Sequence, residues 1–193
     1  MHNKEIEILK LFLGDYNRRI YGRQIIGKVP MSQKWIAATM KKMEESDILV
    51  SKSEGKQKYY SINLRNPVIK SLLLEAEVEK SKDFLQKNIK INLALKEISG
   101  KIVCVFGSYA KGTQKSGSDI DLFVISGSRA QIKKIAQKYD LDLSEKIYTE
   151  KQFVGALKDK SPLISEIVSN HTTIKGFEDF IEKIWAEFYG IKY

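Results

Sequence analysis

Cysteine, histidine and proline are all scarce in this chain of 193 residues, which has one Cys, two His and three Pro. One cysteine can neither close an intrachain disulfide nor build a thiolate cluster, and Cys104, between Val103 and Val105, is expected to be a buried structural thiol. So few histidines and cysteines leave no ligands to spare for a zinc site. No apolar run approaches the roughly 18 residues of a membrane span. The start, MHNKEIEILK, lacks the uninterrupted apolar core of a signal peptide. A cytoplasmic protein with no membrane partner is expected. Acidic residues are outnumbered too, 24 against 33 Lys and Arg, and the net charge of +9 favours polyanions such as nucleic acid or nucleotide phosphates. At 42% hydrophobic and 10% aromatic content, the chain can build a packed core as one large domain or two small ones.

Residues 1–65 read as three helical patterns and a hairpin. Ile6, Leu9 and Leu13 recur at helical spacing until Gly14, and YGRQIIGKV forms a second short segment closed by Pro30. Ser32 then caps SQKWIAATMKKMEESDIL, in which Ile36, Met40 and Met43 share an apolar face while Lys34, Ala38 and Lys41 point the other way. LVSKSEGKQKYYSINL reads as two strands turning at Glu54-Gly55-Lys56. Helix, helix, helix and basic hairpin is the order of a winged helix-turn-helix, and this third of the chain is similar to that family. The resemblance implies that Gln33, Lys34, Ala38 and Lys41 face base edges or phosphates, and that Lys52, Lys56 and Lys58 hold the DNA backbone. Thirteen Lys and Arg against seven Asp and Glu in residues 1–65 agree with phosphate contact. Protein docking or dimerisation is the alternative use of such a module.

Residues 66–99 are read as a linker. Pro67 suits a first helical turn, and no proline or glycine interrupts until Gly100, so one long helix, or two with a slight break, is expected. Val68, Leu72, Leu73 and Ala76 offer either a seam for a homodimer or packing on the chain's own domains.

Residues 100–193 hold the chemistry. KIVCVF and DIDLFVIS are strand-like and expected to be neighbours in one sheet. Side chains alternate along a strand, so Asp119 and Asp121 emerge on one face, roughly 7 Å apart at the backbone. Both can reach one cation, and carboxylates with water and phosphate oxygens suit magnesium. Gly107-Ser108 leads into YAKG, a helical turn whose backbone N–H groups favour a phosphate. Ser108 and Ser118 carry hydroxyls for phosphate oxygens, and Lys111 and Lys115 can neutralise part of a triphosphate. The G-x-x-x-x-G-K-[ST] spacing of P-loop enzymes does not occur.

Gly107-Ser108, ten residues and Asp119-Ile120-Asp121 together resemble the GS-x10-D-x-D signature of the DNA polymerase β-like nucleotidyltransferase superfamily, in particular its minimal members. That resemblance implies an α+β fold: winged helix-turn-helix, linker helix, then a mixed sheet with helices on one face and a C-terminal helical segment. It also implies two Mg2+ ions under a bound NTP, held by Asp119, Asp121 and a third carboxylate from the next strand. The next strand is LDLSEKIYT, where Asp142 is the expected third acid and a shift of two residues would put Ser144 there instead. Beyond it, TEKQFVGALKDK begins with a capping box, and SPLISEIVSNHTTIKGFEDFIEKIWAEFYG reads as two helices about a turn holding His171, which is left off the site. Two functions remain open. The first is transfer of AMP from ATP to a hydroxyl of a protein or small-molecule acceptor, in an antitoxin-like DNA-binding regulator. The second is a transcriptional regulator whose nucleotidyltransferase domain senses nucleotide or is inactive.

Overall fold

A computed structural model describes residues 4–191, in two compact units that divide after Ala76. The first unit opens with α1 (Lys4–Leu9) and a 3-10 turn over Lys10–Phe12, followed by β1 (Ile20–Tyr21), α2 (Gly22–Ile25), α3 (Gln33–Glu45), β2 (Leu49–Glu54) and β3 (Gln57–Ile62). Ser32 caps α3 by accepting from Trp35 N–H. Apolar spacing then buries Ile36, Met40 and Met43 with Ile8, Phe12, Ile25 and Leu49. β2 and β3 pair antiparallel from Leu49↔Ile62 to Glu54↔Gln57, and the two-residue turn begins at Gly55, φ 58°. β1 joins the other edge of β3 through Ile20↔Tyr60. Sequence pattern missed this two-residue strand, which is too short to show alternation.

α4 (Ile69–Lys87) and α5 (Ile89–Glu97) are separated only at Asn88, the slight break expected. Leu73 and Ala76 are fully buried, so the chain itself covers half of the proposed pairing seam.

The second unit carries a four-stranded sheet of β4 (Ile102–Phe106), β5 (Ile120–Ile125), β6 (Leu143–Tyr148) and β7 (His171–Lys175), ordered β6-β5-β4-β7. β4 is antiparallel to both neighbours, whereas β5 and β6 are parallel and joined by the crossover α7 (Arg129–Tyr139). The remaining helices are α6 (Gly107–Lys111), α8 (Glu150–Lys158), α9 (Pro162–Ser169) and α10 (Phe177–Lys183), the last running into a π-helical turn at Ile184–Phe188.

Two expectations fail here. Helices cover both faces of the sheet, not one. Val103, Val105, Ile120, Leu122 and Val124 pack with α5 and α7, while on the other side Phe123 meets Phe153 of α8 at 5.2 Å, and Phe153 stacks on Phe180 of α10. A strand buried on both faces reads as a continuous apolar run, which hides the second layer from pattern reading. The second failure is HTTIK, expected as a turn between helices. It is the edge strand β7, its threonines Thr172 and Thr173 buried beside β4. Among the described residues, no helix is long and apolar enough to cross a membrane.

Candidate active site

β4 delivers the chain to Gly107, which turns with φ +67° into the short helix α6. The positive φ disfavours any residue with a side chain here. A Cβ built there would overlap Asp121 Oδ2 and lie 3.1 Å from Asp121 Cγ. Phe106 pairs with Asp121 across the sheet, so the ladder itself brings the glycine turn against the carboxylate. Downstream, Gly112 takes the left-handed cap of α6 and the Ser108 carbonyl accepts from Thr113 N–H. The approach to Asp119 is a closed turn: Lys115 N–H donates to Ser118 Oγ at 2.9 Å, and Ser118 N–H returns to the Lys115 carbonyl.

Asp119 immediately precedes β5 and is exposed, whereas Asp121 lies within the strand and is half-buried. Burial pushes the Asp121 carboxyl up, and the charges of Asp119 and Glu166 push it further, against smaller opposing effects of Lys146 and Ser144. Among the described residues, neither aspartate has an ion-pair partner. Two neighbouring carboxylates form a set that a divalent ion would relieve. No group of three or more His, Cys, Asp or Glu is arranged for a metal among the described residues. Two acids, water and phosphate oxygens are nonetheless a donor set magnesium accepts, since it keeps water and substrate as ligands. The residues present fit the ion in that limited sense.

The third position is where register decides. β6 starts at Leu143, not Leu141, and pairs Asp121↔Ser144 and Ile120↔Leu143. Ser144 therefore stands beside Asp121 in the ladder. Asp142 is exposed ahead of the strand, level with Asp119, and its carbonyl accepts from Ile120 N–H at 2.8 Å. Of the two alternatives for the third position, Ser144 is the one that pairs with Asp121, because α7 ends in a left-handed cap at Asp140 and the chain needs Leu141 and Asp142 to reach the sheet. Glu145 lies on the opposite face and pairs with Arg129 at 2.9 Å.

Other predicted residues are scattered more loosely. Lys111, at the end of α6, holds Glu166 of α9 at 2.9 Å, and Lys115 is exposed in the loop. Sequence reading missed Glu166, which carries no signal beyond being one acid on an amphipathic helix. It also set aside His171, which the β4–β7 register places opposite Phe106 and so in one row with Asp121 and Ser144. His171 is 2% exposed; its Nδ1–H donates to the carbonyls of Ile167 and Val168, and Nε2 meets Glu77 Oε1 at 2.7 Å. Burial pushes the Glu77 carboxyl up, but the adjoining imidazole and Lys80 override it and hold Glu77 below the ordinary carboxylate value. The expected inert thiol is found: Cys104 is fully buried, and burial pushes it well above the ordinary thiol value.

In the first unit, Gln33, Lys34, Ala38 and Lys41 are exposed along α3, and Lys52, Lys56 and Lys58 along the hairpin. Lys58 is committed to Glu44 at 2.7 Å, and Lys41 approaches Glu45 at 3.7 Å. Between α3 and β3 runs an open groove of about 500 Å³ lined by Tyr21, Arg23, Gln33, Met40, Lys56 and Tyr60 among others.

Comparison with known protein families gives a match. The family model for the nucleotidyltransferase domain covers residues 86–187, which takes in both aspartates, the glycine turn and β7. No curated protein and no solved structure matches the chain. With more than half of its length accounted for by that model, the chain belongs to the nucleotidyltransferase domain family.

Proposed function

We propose that the protein transfers a nucleoside monophosphate, AMP from ATP, to a hydroxyl of a protein or small-molecule acceptor, and that its first unit is a winged helix that binds DNA. The observation that carries the catalytic reading is the seating of Gly107 against the Asp121 carboxylate, two residues after Asp119. Asp119 and Asp121 would hold Mg2+, which supplies Lewis acidity at the α-phosphate and neutralises the leaving pyrophosphate. The chain's own contribution is placement. Gly107 and Ser108 open space for the triphosphate beside the acids, and Lys111 and Lys115 stand where its charge arrives. Asp142, level with Asp119, would be the third acid. The DNA-binding reading rests on the exposed Gln33, Lys34, Ala38 and Lys41 on one face of α3 beside the lysine-bearing hairpin. A fusion of this kind suits an antitoxin-like regulator that modifies a partner.

Ser144 in place of an acid beside Asp121 favours a second reading: a regulator that binds nucleotide without turning it over. Incubation with labelled ATP and Mg2+ in native lysate separates the two. Label transferred to an acceptor by wild type and lost in Asp119→Ala and Asp121→Ala supports the enzyme; Mg-dependent ATP binding with no transferred label and no released pyrophosphate supports the sensor.

A further inference from the structure

The first unit holds a cavity that nucleotidyl transfer does not use. The groove between α3 and β3 measures about 500 Å³, the size of a small-molecule site. Much of its lining is apolar. Ile36 and Met40 of α3 are buried there, and Ile26, at the end of α2, is left 45% exposed. Tyr21 and Tyr60 add ring surface, and Tyr21 is steadied by an edge-on contact with Tyr59 at 5.5 Å. Formal charge on the lining has one sign: Arg23, Lys56 and Lys58 are present, and no Asp or Glu. Lys58 is held by Glu44 at 2.7 Å, whereas Arg23 and Lys56 have no ion-pair partner among the described residues.

A DNA backbone would use those cations but not the Ile, Met and Tyr surface beside them, because its phosphate contacts are polar. Both halves of the lining are used by a ligand with a flat apolar body and one acidic group. We propose that the groove binds an aromatic carboxylate, with its rings on the Tyr21, Ile26 and Tyr60 surface and its carboxylate on Arg23, and that the occupied groove excludes DNA. A guanidinium presents a planar fork that matches a carboxylate, and Lys56 adds charge without geometry. Gln33, Lys56 and Lys58 belong both to this lining and to the face assigned to the duplex, so ligand and duplex compete for them. The exclusion rests on the DNA-binding reading above; the ligand site does not.

The test is titration calorimetry of the full chain with naphthoate and with two probes that each keep half of it. Naphthylmethanol has the rings without the charge, and acetate the charge without the rings. Wild type should bind naphthoate about tenfold or more tighter than either. Arg23→Gln should weaken naphthoate about tenfold. Ala37→Phe fills the groove, leaves every cation in place and should abolish binding. Both positions are exposed, so the thermal midpoint of each variant should match wild type. Naphthylmethanol bound as tightly as naphthoate would make the groove a seat for an apolar protein segment, and acetate bound as tightly would make it a phosphate contact only. Either result overturns the inference, as does a wild type that takes up no naphthoate, or an affinity unmoved in either variant. Competition is read on a labelled duplex, with acetate at matched concentration as the control. Naphthoate should weaken duplex binding by wild type, and duplex affinity indifferent to bound naphthoate overturns the exclusion. A wild type that binds naphthoate but no duplex sinks the DNA-binding reading and the exclusion with it, while the ligand site stands.

Discussion

The sheet of β1–β3 and the sheet of β4–β7 use charge in opposite ways. On the first, charge lies at the surface: Arg19 meets Glu54 at 2.8 Å and Lys58 meets Glu44 at 2.7 Å, all partly exposed. On the second, charge is drawn inward. Asp121 is half-buried on a strand whose other residues are fully buried, and Glu77 and His171 form a pair at 1% and 2% exposure. Solvated pairs can be made and broken at little cost, which suits a surface that exchanges partners. Buried groups pay desolvation and are held only by geometry, which suits a site where position matters. The contrast separates a module built to present a field from one built to place atoms.

The largest effect expected is at the paired acids. Asp119→Ala or Asp121→Ala should lower nucleotidyl transfer about 10³-fold or more, measured as pyrophosphate release. Asp121→Asn should at the same time raise the thermal midpoint of the ligand-free protein. The Asp121 carboxyl is raised on folding, so its ionised form is disfavoured in the fold and destabilises it at neutral pH. A midpoint that stays put or falls would break the contrast.

Next in size is the buried pair. His171→Ala leaves Glu77 buried without its nearest partner, and should cost about 3–5 kcal/mol in denaturant unfolding. Glu77 is lowered from 4.5 in the fold. Its stabilisation is therefore complete above that value and lost as pH falls through the lower folded one, so the gap between wild type and Glu77→Gln should close in acid. A gap that instead widens in acid would reverse the assignment.

Gly107→Ala should reduce transfer about 10²-fold by displacing the carboxylate, with about 1–3 kcal/mol of backbone strain. Paired kinetics and melting of the variant would show both together. On the first unit, Lys34→Glu with Lys41→Glu should lower affinity for duplex DNA about tenfold or more at low salt and flatten the salt dependence by about two units of slope. Unchanged affinity would mean that the module docks protein. Least of all, Lys58→Ala should leave the thermal midpoint nearly unmoved, because its pair with Glu44 is solvated.

How far the fold could be read beforehand depends on where its information lay. Ser32, Gly55 and the apolar spacing of Ile36, Met40 and Met43 act within a few residues, and α3 and the hairpin were legible from them. Asp119 and Asp121 were legible because alternation along one strand is a local rule. β1, with two residues, and β7, following α9 without a turn signal, depend on a partner strand for their identity. Glu166 and His171 were invisible for a related reason, since nothing in SPLISEIVSNHTTIK says which groups it will face.

What the chain determined by itself was the glycine-serine turn, the two acids ten residues on, and the basic surplus of its first third, all properties of residue type and spacing. Tertiary structure alone decided that Ser144 and not Asp142 stands beside Asp121, that Glu166 pairs with Lys111, and that helices cover both faces of the sheet. Strand register and helix docking are set by pairings between residues distant in sequence, and a shift of two residues preserves every local pattern while exchanging the atoms at the site.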